Sequence, residues 1–258
     1  MAASDRRPGA DLATAATLFA FLASVYLLTF GGRFGSIDEF AFYALTESLV
    51  QTGRFATPQL EFAKIHNPVG RVEPGQAFLA APFYALARNL PSVNTIHAVM
   101  LLNVFVTALA GAGLFLLARG LGFGRTGALS AALAFGLGTM AWPYARTFLR
   151  EPAVGLAWVG ALSLFLVWEK SGRPSLALAW VLCLLWAAVV KVTAAVALPA
   201  FLGGVLLVGL KPKSWGARWV FIAALAVLGG AGAVAAWRFG PEGLLKILPE
   251  YSPPTLLA

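Results

Sequence analysis

The sequence predicts an all-α polytopic membrane protein of about seven transmembrane helices, carrying two outer-surface amphipathic helices in its first loop. Two observations predict it. The 258 residues are 59% hydrophobic and only 12% charged, with a mean hydropathy of +0.79, about half the charge of an ordinary soluble domain. Several apolar runs also reach or approach the roughly 20 residues that cross a bilayer core. The whole chain, 1–258, reads as one transmembrane domain. The net charge of +8 does not point to nucleic acid, because many of the Lys and Arg residues sit in short loops between apolar runs, where they orient a membrane protein.

The expected spans are 12–31, 94–118, 126–143, 152–168, 174–190, 192–210 and 217–237. The first run, Leu12 to Phe30, is uncharged, and Gly31-Gly32-Arg33 after it is a poor cleavage site, so it reads as a retained anchor. Basic clusters at Arg6-Arg7, Arg119 with Arg125, Lys170 with Arg173, and Lys211, Lys213 with Arg218 share one side, which the positive-inside rule makes cytoplasmic. The amino terminus is then inside and the tail 238–258 outside. As one helix, 174–210 would be about 55 Å long against a bilayer core of about 30 Å. It therefore reads as a hairpin with Lys191 near its outer tip. Trp142, Trp168, Trp215, Trp219 and Trp237 fall near the expected interfaces, where amphipathic rings settle. Cys183 stands alone in an apolar run, which excludes an intramolecular disulfide.

The first outer loop, 32–93, is the largest polar-bearing segment. Ser36-Ile37-Asp38-Glu39 has the spacing of a capping box, and a helix follows to about Gln51 with Phe42, Leu45 and Leu49 along one face. A loop with Pro58, His66, Asn67, Pro68 and Gly70 comes next, and Glu73-Pro74-Gly75-Gln76 opens a second helix, Ala77 to Arg88, too short to span. Glu73 reads as a solvated loop residue, and Glu151 as the partner of a neighbouring arginine. His66 and His97 lack companion ligands, so no metal site is expected. Gly120, Gly122, Gly124 and Gly127 lie between spans with no preceding strand, which excludes a dinucleotide site.

The candidate chemistry lies on the outer face. Asp38 and Glu39 are acidic residues beside a membrane span, where a carboxylate is costly unless solvent, a partner or a function holds it. The second outer loop, Trp142 to Pro152, carries Arg146 and Arg150, four apart and on one face if that segment is helical. Lys191 completes the set. Arginine grips phosphate with a planar fork, lysine acts as a point charge, and a carboxylate takes a proton from an acceptor. The bland alternatives are helix capping by the acidic pair, and contact with lipid head groups or snorkelling by the cations.

Asp38-Glu39 after the first span, Pro74-Gly75-Gln76-Ala77-Phe78-Leu79-Ala80-Ala81-Pro82-Phe83-Tyr84, Gly138-Thr139-Met140-Ala141-Trp142-Pro143-Tyr144 followed by Arg146 and Glu151, and Lys191 before Val192-Thr193-Ala194 form an ordered set. With this set the sequence resembles the polyprenyl-phosphate-sugar-dependent glycosyltransferases of the GT-C class, nearest the bacterial relatives of protein O-mannosyltransferases and lipid A aminoarabinose transferases. The resemblance covers most of 12–210. It implies an inverting transferase of the bacterial inner (plasma) membrane that takes a sugar from a lipid-linked donor on the outer face. It assigns the catalytic base to Asp38 or Glu39 and the donor phosphate to Arg146, Arg150 and Lys191. It leaves open a divalent metal, which some members of the group use. The expected partners are the lipid-linked sugar donor, membrane lipids and other membrane proteins. Members of the group are usually longer, so the alternative is a non-catalytic scaffold or subunit that binds lipid or partner proteins. A transporter or flippase fits less well, because few charges lie mid-membrane.

Overall fold

A computed structural model describes residues 8–57 and 73–197. Eight α-helices follow one another: α1 Pro8–Leu28, α2 Ile37–Thr52, α3 Gly75–Arg88, α4 Thr95–Gly120, α5 Arg125–Gly138, α6 Ala141–Ala145, α7 Glu151–Ser171 and α8 Pro174–Val190. A 3-10 segment, Val192–Ala197, closes the described part, which contains no strand. Three helices, α1, α4 and α7, are long and apolar enough to cross a membrane, and α8 is a shorter apolar helix. Their outward faces are apolar too: Phe21 and Leu28 on α1, Leu109 on α4, Leu162 on α7 and Leu182 on α8 are exposed. Helices apolar on all sides belong to a membrane-embedded protein.

The spans expected at 12–31, 94–118, 152–168 and 174–190 correspond to α1, α4, α7 and α8. The one expected at 126–143 is broken. α5 stops at Gly138, Thr139 is extended, and α6 begins at Ala141. The 14 residues of α5 make about 21 Å of helix, short of a bilayer core of about 30 Å. The Gly136-Leu137-Gly138 run and a threonine whose hydroxyl bonds locally weaken helix there, Thr139 Oγ1 accepting from the Ala141 N–H at 3.1 Å. Of the span expected at 192–210, only the 3-10 segment is described. The 217–237 span and the tail lie outside the described residues.

Helix α4 is central, packing on α1, α3, α5, α6 and α7. Its apolar window is 61% buried, against 28% for α1 and 33% for α7. Near one end of the bundle Leu22 of α1, fully buried, fills the space left by two glycines. A Cβ on Gly111 of α4 would lie 2.5 Å from Leu22 Cδ1, and one on Gly136 of α5 would lie 2.7 Å from Leu22 Cδ2. Small residues give helices in lipid the close approach that dispersion and polar contacts require. One turn on, the Tyr26 hydroxyl donates to the Gly136 carbonyl at 2.9 Å, within the same buried contact.

A second tight contact joins α3 to α8. A Cβ on Gly75 would lie 2.5 Å from Val190 Cα, so only glycine lets these helix ends meet. Helix α3 buries Ala77, Ala80, Tyr84 and Ala87, which share one face, and exposes Phe78 and Leu86 on the other. The sequence expected a one-faced α2 as well. In the structure α2 is buried at every residue from Ala41 to Thr46, so it is enclosed rather than laid on a surface. Trp168 lies in the last turn of α7. It is buried and stacks on Trp180 of α8, the ring planes 6° apart and the centroids 6.1 Å apart.

Candidate functional site

The site forms where the starts of α2, α3 and α7 meet the end of α8. Ser36 caps α2, its hydroxyl accepting from the Glu39 N–H at 3.3 Å. Glu39 completes the capping box that the sequence predicts: its Oε2 accepts from the Ser36 N–H at 2.9 Å and from the Gly35 N–H at 2.6 Å. Its other oxygen accepts from the Phe148 N–H at 2.7 Å, across to the second outer segment. Glu39 is 1% exposed. A buried carboxylate with both oxygens engaged by backbone N–H groups holds structure. Asp38 differs. Successive helix residues diverge by about 100°, and Asp38 is exposed. Of the acidic pair, only Asp38 is open to solvent.

Arg150 stands immediately before α7, its side chain making no capping bond there. Its guanidinium lies 4.8 Å from the centre of the Phe42 ring and pairs through Nη1 with Glu73. Burial pulls its acidity constant below the ordinary arginine value, while Glu151 and Asp38 stand near enough to favour the charged form. Asp38 lies one turn before Phe42 on α2, so the ring that Arg150 covers ties it to the helix end that carries Asp38. Glu73 uses its second oxygen to accept from the Val192 N–H at 3.1 Å. That bond anchors the turn at which Lys191, in an extended conformation, ends α8. The Lys191 ammonium reaches Glu151 at 2.6 Å. Among the described residues, then, Asp38, Arg150 and Lys191 gather at one end of the bundle with two further carboxylates, Glu73 and Glu151.

Three expectations change. Glu73 is an ion-pair partner and not a solvated loop residue. Glu151 pairs with Lys191 and not with an arginine. Arg146 and Arg150 do not share a helix face, because α6 ends at Ala145 and α7 starts at Glu151, with non-helical backbone between. Arg146 turns the other way: it is exposed, and its Nη1 donates to the Thr29 carbonyl at 3.0 Å, just past the end of α1. Trp142 Nε1 supports the same place, donating to Thr29 Oγ1 at 3.0 Å. Arg146 thus belongs to the packing of α1 against the second outer segment.

Two buried amides hold that segment in place. Asn103 of α4 donates through Nδ2 to the Thr147 carbonyl at 2.8 Å and to the Leu149 carbonyl at 2.6 Å. Its Oδ1 accepts from Gln76 Nε2 of α3 at 3.1 Å, and both side chains are fully buried. The bonds satisfy carbonyls that a helix would otherwise have used. Asn103, an amide nine residues inside the 94–118 apolar run, is the signal that could have found this support, since a polar side chain in a membrane span is costly unless bonded.

The two helices of the first loop are tied by Tyr84. Its hydroxyl donates to Glu47 Oε1 at 2.9 Å and accepts from Gln51 Nε2 at 2.6 Å. Burial, and then the bond to Glu47, push the Tyr84 phenol up from 10.0 to about 12. A phenol whose folded value lies above its unfolded one stabilises fully below about pH 10 and loses that contribution as the pH rises towards about 12. We expect unfolding measured against pH to show a shallower loss of stability between these limits in Tyr84→Phe than in the parent chain. Parallel curves would rule out the assignment.

At the opposite end of the bundle, Arg119 pairs with Asp11 at 3.0 Å and also donates to the Phe123 carbonyl at 2.8 Å. Arg125 Nη2 donates to Thr14 Oγ1, and Lys170 Nζ to the Gly120 carbonyl at 3.3 Å. Of the basic residues that the sequence places on one side, Arg119, Arg125 and Lys170 thus share one end, while Arg6, Arg7, Lys211, Lys213 and Arg218 lie outside the described residues. Among the described residues, no group of three or more His, Cys, Asp or Glu is arranged to hold a metal ion. No family model, curated protein or solved structure matches the chain.

Proposed function

We propose that the chain is a membrane glycosyltransferase of the GT-C kind, taking a sugar from a polyprenyl-phosphate donor on the face opposite the Arg119, Arg125 and Lys170 end. The observation that supports it best is the placing of exposed Asp38 on the same helix end as Phe42, which Arg150 covers, with Lys191 tied in through Glu73 and Glu151, at one end of a bundle of apolar helices. In this reading Asp38 takes the proton from an acceptor hydroxyl or amine as that atom attacks the anomeric carbon. The bond from that carbon to the phosphate oxygen breaks on the opposite side, with inversion. Arg150 and Lys191 neutralise the charge that collects on the departing lipid phosphate. Arg146 keeps a structural part in this scheme, and Glu39 holds the loop that presents Asp38. With seven spans, the bundle would enclose the lipid chain between helices, with the amino terminus in the cytoplasm of a bacterial cell.

A second reading, a non-catalytic scaffold that binds lipid, is favoured by one observation: both site cations already have carboxylate partners. Turnover separates the two. Purified protein in lipid nanodiscs, given a polyprenyl-phosphate-linked hexose and a mixture of acceptors, should release polyprenyl phosphate. Binding of the lipid phosphate without release would establish the scaffold; neither binding nor release would end both readings.

A further inference from the structure

The ion pairs of the site carry a consequence for how an anion could enter it. Arg150 and Lys191 bring two positive charges, and Glu73 and Glu151 bring two negative ones. The paired groups sum to zero, and Asp38 adds a further negative charge. A phosphate arriving at such a cluster gains little net attraction while both carboxylates stay in place. The pairs are also partly screened from water, with side-chain exposures of 20% and 24% for Arg150 and Glu73. Interactions between partly buried charges are weakened less by solvent than those at an open surface. Glu73 is the better placed to move. It holds Arg150 by Nη1 alone, and its other oxygen holds a single backbone N–H, that of Val192. Arg150 Nε and Nη2 bond no acceptor among the described residues.

We propose that Glu73 is a built-in competitor for the anion: a lipid phosphate binds by taking the place of the Glu73 carboxylate on Arg150. The inference rests on reading this end of the bundle as the donor-phosphate site. It assigns Glu73 to setting affinity and not to chemistry. Exchange keeps the guanidinium paired throughout: its open Nε–Nη2 edge receives the phosphate first, and Nη1 then passes from carboxylate to phosphate as Glu73, 24% exposed, turns to solvent. The displaced carboxylate releases the Val192 N–H, so occupancy of the site loosens the turn after α8. A phosphate would in this way be felt at the contact of Gly75 with Val190, two residues from either end of the Glu73–Val192 bond.

The test is the dissociation constant of decaprenyl monophosphate, without sugar, for the full chain in nanodiscs at pH 7. Glu73→Gln keeps an oxygen for the Val192 N–H and removes only the charge, so it should bind about tenfold tighter, the change expected from deleting one like charge beside a partly exposed site. Glu73→Asp, one methylene shorter, keeps the charge but slackens the contact, and should bind several-fold tighter; it serves if the Gln variant does not fold. Unchanged or weaker binding by the folded Glu73 variants, while Arg150→Gln weakens it about tenfold, would overturn the competitor and leave the phosphate site standing. Unchanged binding by Arg150→Gln would instead remove the phosphate reading, and this inference with it.

Discussion

Asp38→Asn is expected to lower sugar transfer at least a hundredfold while the protein folds and binds lipid phosphate as before. A positioned base contributes about 10²–10⁴-fold, and asparagine is nearly the same shape but accepts no proton at neutral pH. Because Asp38 is exposed and makes no hydrogen bond that α2 needs for its cap, its loss leaves the helix start intact. Removing a negative charge beside Arg150 should, if anything, tighten phosphate binding. The signature is therefore a fall in kcat with donor affinity held or improved. Transfer at more than a tenth of the parent rate would show that Asp38 is not the base.

The adjacent residue should behave in the opposite way. Glu39→Ala is expected to destabilise the fold by about 3–5 kcal/mol, the lower part of the range for three backbone N–H groups losing their acceptor at roughly 1–3 kcal/mol each. Its carboxylate accepts from the backbone N–H groups of Gly35, Ser36 and Phe148, and the alanine variant leaves them without that acceptor. Only the reciprocal half of the capping box is lost, since the Ser36 hydroxyl still accepts from the backbone N–H of residue 39. Glu39→Gln should be milder, since an amide oxygen keeps part of this set. Reversible unfolding in mixed micelles measures the difference; a shift under about 0.5 kcal/mol for the alanine variant would mean that the segments do not depend on Glu39. Two neighbouring carboxylates thus separate into one variant that folds without activity and one that fails to hold its fold.

Much of this division was legible in the sequence, and some was not. Ser36 and Glu39 stand at the fixed spacing of a capping box, a rule of local backbone geometry, so the start of α2 could be read directly. The long apolar runs gave α1, α4 and α7 for the same reason, since bilayer thickness sets their length. The break between α5 and α6 was hidden because Gly138-Thr139-Met140 is apolar enough to continue a span, and hydropathy does not register loss of helical backbone. The pairing of Arg150 with Glu73 and of Lys191 with Glu151 joins residues 77 and 40 positions apart. Such partners are decided by how helix ends meet, which charge spacing along a chain does not encode. The sequence grouped Arg146 with Arg150 by assuming helix between them. Asn103, by bonding the Thr147 and Leu149 carbonyls, instead holds an irregular backbone there and turns the two arginines apart.

The bond from Tyr26 to the Gly136 carbonyl spans 110 residues, and it has a consequence for biosynthesis. Chains leave the ribosome at roughly 5–20 residues per second, so α1 enters the bilayer roughly 5–20 s before α5 exists to receive it. During that interval Leu22 has no pair of glycines to enter and the Tyr26 hydroxyl has no carbonyl from α5. The first helix must therefore wait, held by the insertion machinery or by lipid, as a single segment with an unmet polar group. Its final docking is a late event of synthesis, and a ribosome stalled before residue 136 should leave α1 accessible to neighbours that the finished protein excludes.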